Sequence, residues 1–204
     1  MHMKTMVYIA LLSLAFLEGC VPFAKLSMGV SRPREETPGE LITYLHKNSF
    51  PTNNLFIIKD SSTYIKMLKD SVLHQFLFTT VVFRGDFRRI ENDTSRCQWS
   101  GGYMVAHLKT DSAYSVSDTY SFNDFVPMMT PLFDSIKPLQ VVPGEFDFII
   151  VNTWAKFLGK FNERLFSLSE TIRERPDLKI LVINLNLDMQ RSWNLRKDQK
   201  ITLN

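Results

Sequence analysis

Two thiols, Cys20 and Cys97, are the residues whose chemistry is easiest to recognise in this chain. Cys97 lies in TSRCQWSGG, 94–102, a polar stretch with Arg96 beside it and two glycines after it. A neighbouring guanidinium favours the thiolate, and glycines let a partner's backbone approach closely. Free cysteines are more often inert than reactive, so Cys97 stands as the alternative catalytic residue and not the leading one. His46, His74 and His107 are far apart and show no metal-ligand spacing with Cys97 or with carboxylates. The paired carboxylates Glu35 and Glu36 fall in a stretch rich in proline and glycine. No phosphate loop, nucleophile elbow or dinucleotide fingerprint is present, and no residue pattern calls for a metal or cofactor.

Cys20 has a different context. Lys4 supplies a small positive region, and Met6 to Phe16 is a continuous apolar stretch. That stretch is too short for a membrane span, which needs about 20 residues, but suits a signal-peptide core. It runs into LEGC, 17–20, which resembles the bacterial lipobox. The resemblance implies that residues 1–19 are removed and that Cys20 becomes the lipidated first residue of the mature chain. Val21 stands where an aspartate would signal inner-membrane retention, so the implied location is the outer membrane, facing the periplasm. With Cys20 lipidated, Cys97 is left as a lone thiol that cannot close an internal disulfide.

The composition bounds the rest. A chain of 204 residues with 45% hydrophobic content can build one or two small domains. Basic and acidic residues nearly balance, 24 against 21. The densest basic spot, RGDFRR at 84–89, reads as a solvated hairpin tip, so a nucleic-acid partner is not expected.

The elements that must position these residues follow from pattern. Pro22, Gly29, Pro33, Pro38 and Gly39 mark residues 20–39 as a flexible tether. Residues 40–140 form an α+β region. It has a short helical stripe at Leu41, Tyr44 and Leu45, and a strand at 55–58. A helix capped by Asp60 runs to about His74, and a strand at 76–83 turns at GlyAsp, 85–86, into a partner near 87–91. Residues 101–108 are either a short helix or a strand. Ser121 and Asp124 make a capping box for a helix limited by Pro127 and Pro131. In 141–204 the apolar runs 146–153 and 178–187 have the character of strands buried on both faces of a parallel sheet. Leu158, Phe161, Leu165, Leu168 and Ile172 between them recur at helical spacing, and Pro176 ends that helix. This is a βαβ unit, and Asp188 can cap a further helix containing Met189 and Trp193. The fold class is α/β.

Strand, Trp154-Ala155, glycine-centred loop, long helix, strand and acidic turn resemble the core of the thioredoxin-like family across about residues 145–197. That family usually carries Trp-Cys-Gly-Pro-Cys at the start of the helix. Here Phe157 takes the aromatic place and Gly159 matches. Leu158 and Phe161 stand for the two cysteines, and Lys160 for the proline. The first cysteine attacks a disulfide as a thiolate and the second resolves the mixed intermediate; leucine and phenylalanine can do neither. The family also continues with a hairpin led by a cis-proline, for which no segment follows. Either the N-terminal half supplies covering elements or the domain is partial. The resemblance therefore implies a degenerate, redox-inactive member with a binding or scaffolding role toward an envelope protein. The alternative is a thiol–disulfide function through Cys97 alone. Leu158 and Phe161 also continue the apolar helix stripe, so core packing is their simplest role.

Overall fold

The structure, a computed structural model, describes residues 29–70, 73, 77, 79–91, 105–110, 114–133 and 138–195. In chain order the elements are β1 (Glu35–Glu36), α1 (Pro38–Lys47), β2 (Leu55–Ile58), α2 (Ser61–Lys69), β3 (Thr80–Arg84), β4 (Arg88–Ile90) and β5 (Val116–Ser121). They continue as α3 (Phe122–Phe125), β6 (Met129–Pro131), β7 (Phe148–Trp154), α4 (Phe161–Phe166), α5 (Leu168–Arg173), β8 (Ile180–Asn186) and β9 (Met189–Gln190).

One mixed sheet has the order β5-β4-β3-β7-β8-β2-β6, and β1 pairs separately with β9. β7 and β8 run parallel, Phe148 opposite Ile180 through Trp154 opposite Asn186, and β2 joins β8 in parallel. β3 lies antiparallel on the other side of β7 and turns into β4. Both halves of the chain thus contribute strands to a single sheet.

The alternation of side chains along each strand divides the core in two. One face carries Phe56, Ile58, Val81, Phe83, Ile149, Val151, Ile183 and Leu185 against Tyr64 and Met67 of α2 and Phe122 and Phe125 of α3. The other carries Val82, Phe148 and Ile150 against Leu168, and Leu55 and Trp154 against Leu41, Leu45 and Phe166. Helices cover both faces, the layered solution that buries a sheet apolar on each side. All seven residues of β7 are buried, as its unbroken apolar run anticipates.

The caps explain the boundaries. Asp60 accepts the Thr63 N–H at 2.8 Å, and Ser121 and Asp124 form their capping box. α2 stops at Lys69, short of His74, because Asp70 turns extended and its carboxylate takes the Leu73 N–H at 3.0 Å. Residues 31–36, inside the expected tether, are docked: the Ser31 N–H donates to the Phe157 carbonyl at 2.8 Å, and Glu35–Glu36 pairs with Met189–Gln190.

Two further expectations are corrected. The helix after Gly159 is not one rod but α4 and α5, broken at Ser167, whose hydroxyl donates back to the Arg164 carbonyl at 2.8 Å. Met189 and Trp193 do not share a helix after Asp188. That carboxyl turns inward instead of capping, and Met189–Gln190 is drawn into the pair with β1.

Candidate functional site at the strand ends

The loop at residues 155–160 leaves the C-terminal end of β7, where open α/β sheets commonly hold ligands. Trp154 is fully buried, its ring stacked on Tyr44 with centroids 6.1 Å apart and planes 9° apart, and tilted against Phe166 at 5.5 Å. Phe157 is buried in the core under α2 and α3, and Leu158 packs at its margin. Gly159 has φ +57° and ψ −126°, a conformation that a residue with a Cβ pays heavily to adopt, so this glycine is required by backbone geometry alone. Its carbonyl accepts the Tyr44 hydroxyl at 3.4 Å. Lys160 is exposed and Phe161 is 40% exposed.

Phe161 therefore does not continue the buried stripe; Asn162 faces inward instead. The turn at residues 156–159 rotates the start of α4 so that Asn162 meets the sheet. Its amide donates to the Ala155 carbonyl and to the Tyr44 hydroxyl, each at 2.8 Å. Residues 29–44 form a roof over this loop. The covering elements do come from the N-terminal half, and they leave Trp154 and Phe157 as core.

Beneath the roof is a polar cluster that pattern reading missed. Asp188 is 2% exposed; one of its oxygens accepts the Lys156 backbone N–H at 2.6 Å and the Asn186 amide at 2.8 Å. Burial pushes its carboxyl up to about 6, with the nearby Glu36 carboxylate adding to the rise. Lys156 Nζ pairs with Glu36 at 2.7 Å, and Gln190 donates to the Asp188 carbonyl at 2.8 Å. Burial, with Asp188 contributing, also holds the Tyr64 hydroxyl up at about 12. A carboxyl titrating near neutrality suits proton transfer. These bonds make the cluster a clamp joining β1, the loop after β7 and the turn after β8.

On the sheet face under α4 and α5 lies a cleft of about 350 Å³ lined by Asn53, Asn54, Asn152, Asn184, Ile172 and Ile180 among others. Thr80 donates to Asn152 at 3.1 Å. Asn152 donates to the Leu165 carbonyl at 3.0 Å, and Asn184 to the Asn53 carbonyl at 3.1 Å. These amides tie β7 to α4 and β8 to the segment before β2. The signal was present: FIIVN and ILVIN place an asparagine at the same offset in two parallel strands.

Cys20, Cys97, Arg96 and His74 lie outside the described residues, as does the predicted signal peptide. His46 sits in α1 and His107 in the short turn after Val105. Among the described residues no group of three or more His, Cys, Asp or Glu is arranged to hold a metal. No helix among them is long and apolar enough to cross a membrane.

No family model, curated protein or solved structure matches the chain. The resemblance to the thioredoxin-like family rests on the sequence around Trp154 alone.

Proposed function

We propose that this chain is a lipid-anchored envelope protein, held through Cys20 and facing the periplasm, whose α/β domain works by binding or scaffolding without redox turnover. The observation that carries the redox-inactive part is the occupancy of the β7 loop. By the resemblance, Leu158 and Phe161 stand where the two thiols would be, and residues 29–44 cover the loop. A disulfide substrate would find neither a nucleophile nor an open approach there.

The setting supports a thioredoxin-like ancestry. The strand bearing Trp154 has a parallel neighbour, β8, on one side and the antiparallel pair β3–β4 on the other. A hairpin is what the resemblance calls for, although here it precedes the motif in sequence. The described residues contain no cis peptide, which departs from the family pattern.

The test has two arms. Insulin reduction driven by dithiothreitol should stay at background with the wild type and with Cys97→Ser. Cys20→Ala should lose lipid labelling and leave the membrane fraction after carbonate washing. Catalysis by the wild type above background overturns the redox-inactive reading, and its loss in Cys97→Ser assigns it to that thiol; unchanged mobility and membrane retention of Cys20→Ala overturn the anchor.

A further inference from the structure

The roof that closes the β7 loop also delivers the N-terminal chain to one place on the surface. A Cβ built on Gly29 would sit 4.0 Å from the Gly159 Cα, and Ser31 is bonded to Phe157. The chain therefore reaches the domain beside Lys160 and Phe161. Nine peptide units separate Cys20 from Gly29, which fully extended reach at most about 32 Å. Arg32 and Lys160 are exposed here, as is Arg164 one helical turn on; none of the three is in an ion pair among the described residues. Glu163 is the acidic residue exposed among them. Phe161, next to Lys160 and one helical turn before Arg164, is 40% exposed.

We infer that the Arg32–Lys160–Phe161–Arg164 surface rests on the bilayer that carries the anchor, its cations meeting anionic phospholipid headgroups and Phe161 entering the interface. Cationic side chains gather at an anionic surface within a Debye length, and an aromatic ring is at home in the headgroup zone. A short tether raises the local concentration of bilayer around this patch, so weak contacts suffice. Val142, also exposed, serves as the contrast. Val142 lies at the opposite end of β7, where the Gly144 N–H bonds Gly85. The surface assignment rests on the anchored reading above for its orientation.

The test places a fluorophore by thiol labelling at Phe161→Cys or Val142→Cys, in a Cys97→Ser background, on the full chain recovered in its native membrane. Nitroxide carried on lipid headgroups should quench the label at 161 and leave the label at 142 bright. Lys160→Glu with Arg164→Glu should abolish quenching at 161 while the protein stays in the membrane fraction. For soluble labelled protein on phosphatidylglycerol vesicles, each positive charge removed should weaken partitioning about fivefold. Equal quenching at both positions in membrane-bound protein overturns the surface assignment and leaves the anchor standing. Protein recovered soluble overturns the anchor. The vesicle arm then decides the surface: selective quenching at 161 keeps it, and none overturns it.

Discussion

The Asp188 carboxylate takes the backbone N–H of Lys156 at 2.6 Å, so a buried acid at the end of β8 holds the first residue after Ala155 in the β7 loop. Lys156 then reaches outward to Glu36 at 2.7 Å, binding the roof to the same point. Loop, roof and clamp are one construction.

Asp188 should give the protein a distinctive pH dependence. Its ordinary value of 3.8 rises to about 6 in the fold, chiefly through burial. A raised acid keeps its proton in the folded state after the unfolded chain has released it. Its contribution therefore weakens stability as pH climbs from about 4 to about 6, then levels off, a loss of about 3 kcal/mol. Asp188→Asn keeps an acceptor oxygen and removes the titration. The difference in unfolding free energy between variant and wild type should change across that window, in urea melts taken at each pH. Parallel curves would show that Asp188 is not held as described.

Lys156→Met should loosen the roof. Glu36 is buried, and removal of its cation leaves that carboxylate beside Asp188 without a counter-charge. A cost of about 2 kcal/mol is expected, below the full value for a buried pair because Lys156 is partly exposed. Trypsin should cut faster after Arg34, which is exposed on the roof segment; the Arg32–Pro33 bond resists it. Adding Glu36→Gln should recover part of the loss.

Trp154, Phe157 and Phe161 should separate cleanly by burial. Trp154→Ala removes a fully buried ring stacked on Tyr44 and should cost about 4 kcal/mol. Phe157→Ser should cost about 3 kcal/mol by the same mechanism. Phe161→Ser, on the surface, should change stability by less than about 1 kcal/mol. Thermal melts of the three variants check the order. A mild effect at Phe157 with a large one at Phe161 would invert the packing described here.

Much of this architecture was legible in the sequence because it rests on local pattern. The run LeuPheIleIle became β2 with its expected ends, and the apolar runs after residue 145 became the parallel pair β7–β8. Asp60 and the Ser121–Asp124 pair declared their caps. What escaped was set by tertiary contact. Pro and Gly made residues 29–36 look like tether, but parallel pairing to Met189–Gln190 and the Lys156 ion pair dock them. Helical spacing put Phe161 in the core; the turn through Gly159 rotated it out and brought Asn162 in. Asp188 reads as a helix cap by position, and only the folded chain shows what its carboxylate faces.

Amide exchange at Lys156 tests the closed loop most directly. In an open redox-site or binding loop this N–H would face solvent and exchange within seconds. Bonded to buried Asp188 beneath residues 29–44, it should exchange only through sub-global or global opening, as should Ser31, whose N–H donates to Phe157. The amide of Glu145, in an exposed turn to Val142, supplies the fast internal reference. Protection of Lys156 and Ser31 rising together toward that of the β7 core is the predicted result. Exchange of Lys156 as fast as Glu145 would contradict the account.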